Sequence, residues 1–234
     1  MPRRVLLGVP ALDGRVTAYH AHSAEETLRA CIEQGIEFRT LRIIDDSILP
    51  NARNDILAAA VRGAYDDLLF VDADQDWKPE DAIKILSYPV DCIGAPVRKK
   101  TDDGEFYNVR TRSGVLTRHD QHPILTAPDL AVGTGFLRLS RRAMAALWDG
   151  ALEYRVLNST KPPSRWVFDH RPVDGHLVGE DTMMCDKLRA LGIAVWIDPS
   201  IICGHVGNKR WAGDFAAWLK THRIDPDAAA NDGP

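Results

Sequence analysis

Short apolar runs alternate with amphipathic stretches along the first hundred residues of this chain, and that alternation leaves few folds open to it. Residues 5–9, 38–44, 68–71 and 91–95 have the length and content of strands. Between them, 24–34 reads as a helix, with Ser23 as N-cap and Gly35 past its end. The stretch 51–65 carries Ile56, Leu57, Ala60, Val61 and Ala64 on one helical face, and Pro79 suits the first turn of another helix. Strand–helix repeats of this kind predict the α/β class, a mostly parallel central sheet flanked by helices. Pro10 is expected to end the first strand. Beyond residue 97 the pattern loosens: 98–128 and 152–176 read as irregular, separated by a strand near 135–139 and a helix through Trp148. A helix over 180–191, stopped by Gly192, and a strand over 194–197 follow.

We expect one domain over 1–224 and a flexible polar tail over 225–234. At 234 residues the chain can bury a core without disulfide or zinc, and a formal net charge of −4 argues against a protein that coats nucleic acid. Cys31, Cys92, Cys185 and Cys203 are far apart with no metal spacing, and the first apolar run is too short for a leader or a membrane span. The expectation is a cytoplasmic protein with reduced cysteines.

Chemistry concentrates after the third apolar run, at Asp72-Ala73-Asp74-Gln75-Asp76. On an extended segment, acids at i and i+2 point to one side. At the C-terminal end of a buried strand they face the ligand crevice of an α/β sheet. Paired carboxylates repel unless a cation lies between them, and oxygen donors suit Mg²⁺ or Mn²⁺. An EF-hand fails, because Trp77 stands where that loop needs Gly and Ile83 where it needs Glu. A solvated acidic turn before the helix at Pro79 satisfies the same sequence, so both readings stay open.

Three further pieces admit two readings each. Arg53 in a helical first turn suggests a bound diphosphate, or a surface arginine reaching Asp55. Glu180 and Asp181 open a helix either as favourable caps or as a general base rigidly placed toward an acceptor. His205 between Gly204 and Gly207 is a structural histidine or the nitrogen ligand such a site otherwise lacks; Lys209 and Arg210 follow, suited to phosphate oxygens. Gly133-Thr134-Gly135 is no dinucleotide fingerprint, since it precedes its strand and Arg138 stands at the last glycine position. His20, His22, His119 and His122 lack acidic or cysteine companions and read as surface histidines.

In order, Gly8-Val9-Pro10, Ala52-Arg53-Asn54, Val71-Asp72-Ala73-Asp74, Gly133-Thr134-Gly135-Phe136, Gly179-Glu180-Asp181 and Gly204-His205-Val206-Gly207 resemble the GT-A fold glycosyltransferases, especially small bacterial and phage-type members. The resemblance covers most of the chain. It implies a donor-nucleotide half over about 1–97, and a loop-rich acceptor half with a C-terminal lid over about 98–224. It implies that Asp74 ligates the metal, that Asp72 contacts metal or donor ribose, and that His205 is the third protein ligand. Pro10 would lie beside the nucleobase, with Arg53, Asn54, Lys209 and Arg210 near the donor and Gly135 in the wall facing the sugar. Asp181 would be the base, with Glu180 second. The family's acid after its second strand falls at Asp45 or Asp46.

The activity implied is metal-dependent transfer of a hexosyl or N-acetylhexosaminyl group from a nucleotide-diphosphate sugar, UDP favoured, to a hydroxyl. Asp181 as base gives inversion, and His205 tilts the metal toward Mn²⁺. A sugar-phosphate nucleotidyltransferase and a catalytically silent sugar-nucleotide-binding module are the alternatives. Cations at Arg98, Lys99, Lys100, Arg110, Arg112, Arg118, Arg138, Arg141 and Arg142 read first as a solvated face. A sharper reading is a polyanionic acceptor, a lipid phosphate or a hydroxylated DNA base, beside the simpler case of a glycan.

Overall fold

A computed structural model describes residues 2–157 and 160–222; the expected tail lies outside them. The first half runs β1 (Arg4–Ala11), α1 (Ala18–Glu33), β2 (Glu37–Ile44), α2 (Leu49–Arg62), β3 (Asp67–Val71), β4 (Gln75–Asp76), α3 (Pro79–Ser87) and β5 (Cys92–Gly94). In the second half α4 (Arg141–Asp149), α5 (Glu180–Ala190) and α6 (Phe215–Thr221) alternate with short strands. The central sheet has eight strands in the order β2, β1, β3, Phe136–Ser140, β5, Val195–Ile197, Leu125–Thr126, Thr117–Arg118. The mostly parallel sheet has two reversed strands, Phe136–Ser140 and Leu125–Thr126. Helices flank both faces, giving the α/β class expected.

Strand periodicity sorts the core into two layers. Val5, Leu7, Val9 and Ala11 of β1, with Leu69 and Val71 of β3, face α1 and α3. Leu6, Leu68 and Phe70 face α2, α4 and α5 on the other side. Gly8 is required there: a Cβ would lie 2.3 Å from Cγ2 of Ile56, so α2 crosses β1 where no side chain fits.

Three boundaries and one whole helix differ from expectation. β1 continues through Pro10 to Ala11, because β3 pairs with β1 only up to Gly8 and the missing N–H at Pro10 disrupts no ladder on that side. α1 begins six residues earlier than position 24, with Thr17 accepting the His20 amide as N-cap. Ser23 instead lies buried, its hydroxyl donating to the carbonyl of Trp77 and accepting from the Trp77 amide. α2 starts at Leu49, so Arg53 stands past the first turn. α6, which the sequence pattern did not announce, packs Phe215 and Leu219 into the core.

Candidate functional site

The acids leave β3 at its C-terminal end, but not on an extended segment. The Gln75 amide donates to the Asp72 carbonyl at 3.1 Å, closing a turn that sets both Asp72 and Asp74 on one cleft. The N-terminal turn of α1 holds that turn from behind. The Thr17 amide donates to the Ala73 carbonyl at 3.0 Å, and Nδ1 of His20 donates to the Asp72 carbonyl at 3.1 Å. His20 is therefore no surface histidine. It is fully buried, edge-on to Trp77, and burial lowers its pKa so that it stays neutral. His22 is exposed as expected, while His119 and His122 are half-buried and touch each other, Trp196 and Tyr88.

After the turn, β4 becomes the edge of a three-stranded sheet with Gly204–Val206 and Arg210–Trp211. The register pairs His205 with Gln75 and Gly204 with Asp76. Nε2 of His205 thus comes within 3.6 Å of Asp74 Oδ1, although 131 positions separate the two in sequence (205 − 74). The other ring nitrogen, Nδ1, donates to the Arg98 carbonyl at 3.0 Å, so Nε2 is the nitrogen turned to the carboxylate. Lys100 is the second partner of Asp74. Burial pushes the Asp74 carboxyl up, but His205 and Lys100 outweigh it and hold the pKa at about 2. The third acid has a structural role: Asp76 takes a bidentate pair from Arg210 at 2.6 and 2.7 Å and accepts the Gly204 amide.

Arg53 is neither a surface residue nor bound to Asp55, which Lys161 pairs instead. It is buried under the site, with Nη2 3.0 Å from Asp72 Oδ1 and Nη1 on Glu180. Arg53 thereby ties the end of β3 to the start of α5. Asp181, next to Glu180, accepts only from Thr182 among the described residues and carries no ion pair there.

Two hollows meet at Asp72 and His205. A cleft of about 510 Å³ is walled by Pro10, Asp13, Arg15, Thr17 and Leu49. A smaller pocket of about 130 Å³ holds Arg53, Gly135, Glu180 and Asp181. A Cβ on Gly135 would meet the Gln75 amide nitrogen at 2.1 Å, so glycine there keeps the Gln75 side chain against the wall. The expected residues Pro10, Arg53, Asp72, Asp74, Gly135, Glu180, Asp181 and His205 are thus brought together.

Others are not. Asn54 is fully buried, and its amide holds the backbone of Val167 and Phe168, which fixes the loop before α5 and leaves nothing for a donor. Arg210 is committed to Asp76, and Lys209 pairs with Asp102 over the Trp211 ring. The expected flexible lid is instead a hairpin clamped to β4. Neither Asp45 nor Asp46 lines the cleft; Asp13 and Arg15 from the β1–α1 loop stand there. Of the cations in the second half, Arg138 is buried on Asp67, while Arg141 and Arg142 pair with Asp66 and Asp91 at the opposite end of the sheet. Sequence reasoning missed Lys100, the ion-pair partner of Asp74, and Gln75 in the wall of the smaller pocket. The only signals were a basic run and proximity to the acid triplet.

All four cysteines are free and buried. Among the described residues no helix is long and apolar enough to cross a membrane.

No family model matches the chain, and no curated protein matches it. Among solved structures it shares its overall fold with A197 from STIV, at TM-score 0.52 and 14% identity, covering 92% of this chain and 91% of that one. More distant likenesses are to a glycosyltransferase involved in the glycosylation of the major capsid of PBCV-1 (TM-score 0.35, 15% identity, 62% and 63% covered). HddC from Yersinia pseudotuberculosis complexed with GMP-PN is another (TM-score 0.31, 11% identity, 81% and 97% covered).

Proposed function

We propose that the protein is a metal-dependent glycosyltransferase that moves a sugar from a nucleotide-diphosphate donor, UDP-linked in the first instance, to an acceptor hydroxyl. The observation that carries this reading is the meeting of the two hollows. One is large enough for a nucleotide, the other holds the Asp181 carboxylate, which has no ion pair among the described residues, and the Asp72–Asp74 turn and His205 stand between them.

The donor set fits a divalent cation in part. Asp74 and His205 are adjacent, and the hydrogen bond from Nδ1 leaves Nε2 free to ligate. Among the described residues no three ligating side chains are already drawn together, and Asp72 gives one oxygen to Arg53. Asp74 and His205 would hold the ion, with Asp72 as third ligand, and one nitrogen with two oxygens favours Mn²⁺ over Mg²⁺. When bound, the ion supplies Lewis-acid neutralisation of the nucleoside-diphosphate leaving group.

The chain's own residues do the rest. Pro10 and the β1–α1 loop receive the nucleotide. Arg53 braces Asp72 and Glu180. Asp181 takes the acceptor proton as the acceptor oxygen bonds to the sugar's anomeric carbon and the bond to phosphate breaks, which inverts that carbon. Asp181 stands in the first turn of α5, a rigid position from which it acts through placement. Residues 1–97 form the donor half and 98–224 the acceptor half in this reading. A glycan, a lipid phosphate and a hydroxylated DNA base stay as acceptor candidates.

Calorimetry of UDP binding, with Mn²⁺ or with EDTA, tests the donor site. Wild type is expected to bind only with metal, and Asp74→Ala to lose that binding. Binding of neither UDP nor GDP overturns the reading. A sugar-phosphate nucleotidyltransferase is the second reading, favoured by Arg15 in the cleft just after β1. Release of pyrophosphate from UTP and a sugar 1-phosphate would select it. Nucleotide binding with no transfer to any acceptor would leave a sugar-nucleotide-binding module.

A further inference from the structure

Four residues that line the smaller pocket carry buried polar atoms that the mechanism above leaves without partners. Oε1 of Gln75 and Oγ1 of Thr134 are shielded from solvent and make no hydrogen bond among the described residues, and the same holds for Nε of Arg53 and of Arg98. Gln75 and Thr134 are 2% and 1% exposed, so bulk water does not satisfy them. A buried polar group without a partner costs free energy, and several around one hollow point to a ligand that completes them.

The chemistry of that ligand follows from the lining. An acceptor (Gln75 Oε1), two donors (the Arg Nε–H groups) and one hydroxyl able to do both (Thr134) match a group that both gives and takes hydrogen bonds at several points. Hydroxyls do this; phosphate and carboxylate oxygens only accept. Charge agrees with a neutral occupant, because the carboxylates of Asp72, Glu180 and Asp181 are matched in number by Arg53, Arg98 and Lys99. Apolar surface is scarce, Val97 being the one large aliphatic side chain in the wall. An acetamido methyl would find little to pack against and would face the polar atoms instead.

We propose that Gln75 and Thr134 read the free hydroxyls of a neutral, unsubstituted sugar, so that the transferred group is a simple hexose rather than an N-acetylated or carboxylated one. This rests on the glycosyltransferase reading and narrows it. Backbone register explains why Gln75 can serve here. It lies beside His205 in the ladder, one residue from Asp74, and Gly135 leaves room for its side chain. The sugar would then be recognised from the strand that follows the Asp72–Asp74 turn and pairs with His205.

Calorimetry in Mn²⁺ separates the two readings. The probes are UDP, UDP-glucose, UDP-galactose and UDP-N-acetylglucosamine, with GDP and GDP-mannose as the alternative base. Wild type is expected to bind at least one simple hexose donor more tightly than the bare nucleotide and than the N-acetylated donor. Thr134→Val and Gln75→Leu, each checked for an unchanged circular dichroism spectrum, are expected to remove about threefold to tenfold of that preference apiece while leaving UDP affinity as it was. If Gln75→Leu fails to fold, Thr134→Val alone decides, since it replaces one hydroxyl by a methyl. Equal or tighter binding of the N-acetylated donor, or variants that keep the full preference, would overturn this inference with the donor site intact. Absence of any nucleotide binding would remove the glycosyltransferase reading as well.

Discussion

Asp181 and Glu180 are neighbours in sequence, yet the structure gives them opposite electrostatic settings. Glu180 is locked to the buried Arg53, whereas Asp181 meets only Thr182 among the described residues. Replacing each tests which acts on substrate. Asp181→Asn is expected to lower turnover by about 10²–10⁴ while donor affinity holds, as for loss of a general base. Glu180→Gln should instead act on stability, costing about 1–3 kcal/mol in a denaturant melt, because it weakens a partly buried charged hydrogen bond. Equal losses of turnover would defeat that division. Asp74 has its own signature in acid. Its pKa is held at about 2, below the ordinary 3.8, by His205 and Lys100 against the opposing effect of burial. A depressed carboxyl contributes stability that is fully present above its unfolded pKa and is lost as pH falls through the folded one. Thermal melts of wild type should therefore steepen with acid between about pH 4 and pH 2, and those of Asp74→Asn less so; identical slopes would show that Asp74 is not held as described. The acid pair was legible as residues, because five buried positions precede it. The roles of His20 and Arg53 were not, because each depends on a partner far away in sequence.

Among elements, the small sheet of β4 with Gly204–Val206 and Arg210–Trp211 decides whether a site forms at all. Its hydrogen bonds place His205 beside Asp74, and Arg210 locks it through both oxygens of Asp76. Arg210→Met should leave the central sheet intact, lower the melting temperature by a few degrees, and weaken Mn²⁺ binding by about tenfold as His205 loses its register. Unchanged Mn²⁺ affinity, read by calorimetry, would mean that the hairpin does not hold the ligand. Sequence pattern read the long regular elements well and these short ones poorly. β3 declares itself by five consecutive buried residues. A two-residue strand such as β4 carries no periodicity, and Arg210 next to Lys209 looks like a phosphate contact until its true partner, 134 positions away (210 − 76), is seen. The early start of α1 was missed for a related reason. Its start holds the acid turn through the Thr17 amide and the buried His20, while Tyr19 is exposed, so its apolar face does not follow a simple helical stripe.

At the scale of the whole molecule, the α/β class and the succession β1, β2, β3 and β5 were readable from alternation alone, whereas strand order was not. Nothing in the run at 136–140 reveals that it reverses direction and inserts between β3 and β5. That insertion carries Gly133–Gly135 to the rim where β3 ends, since a reversed strand enters the sheet at the edge its neighbours leave. It also has a consequence for the chain as it is made. The middle of the sheet is filled by a segment that comes some forty residues after β5 (136 − 94 = 42). While the ribosome has yet to release that segment, β3 and β5 each present an open row of backbone donors and acceptors, flanked by the most apolar residues of the protein. A nascent chain of this topology is expected to expose its own centre until Phe136–Ser140 bridges β3 and β5, and the outer edge of β5 stays open longer still, until Val195–Ile197 pairs with it.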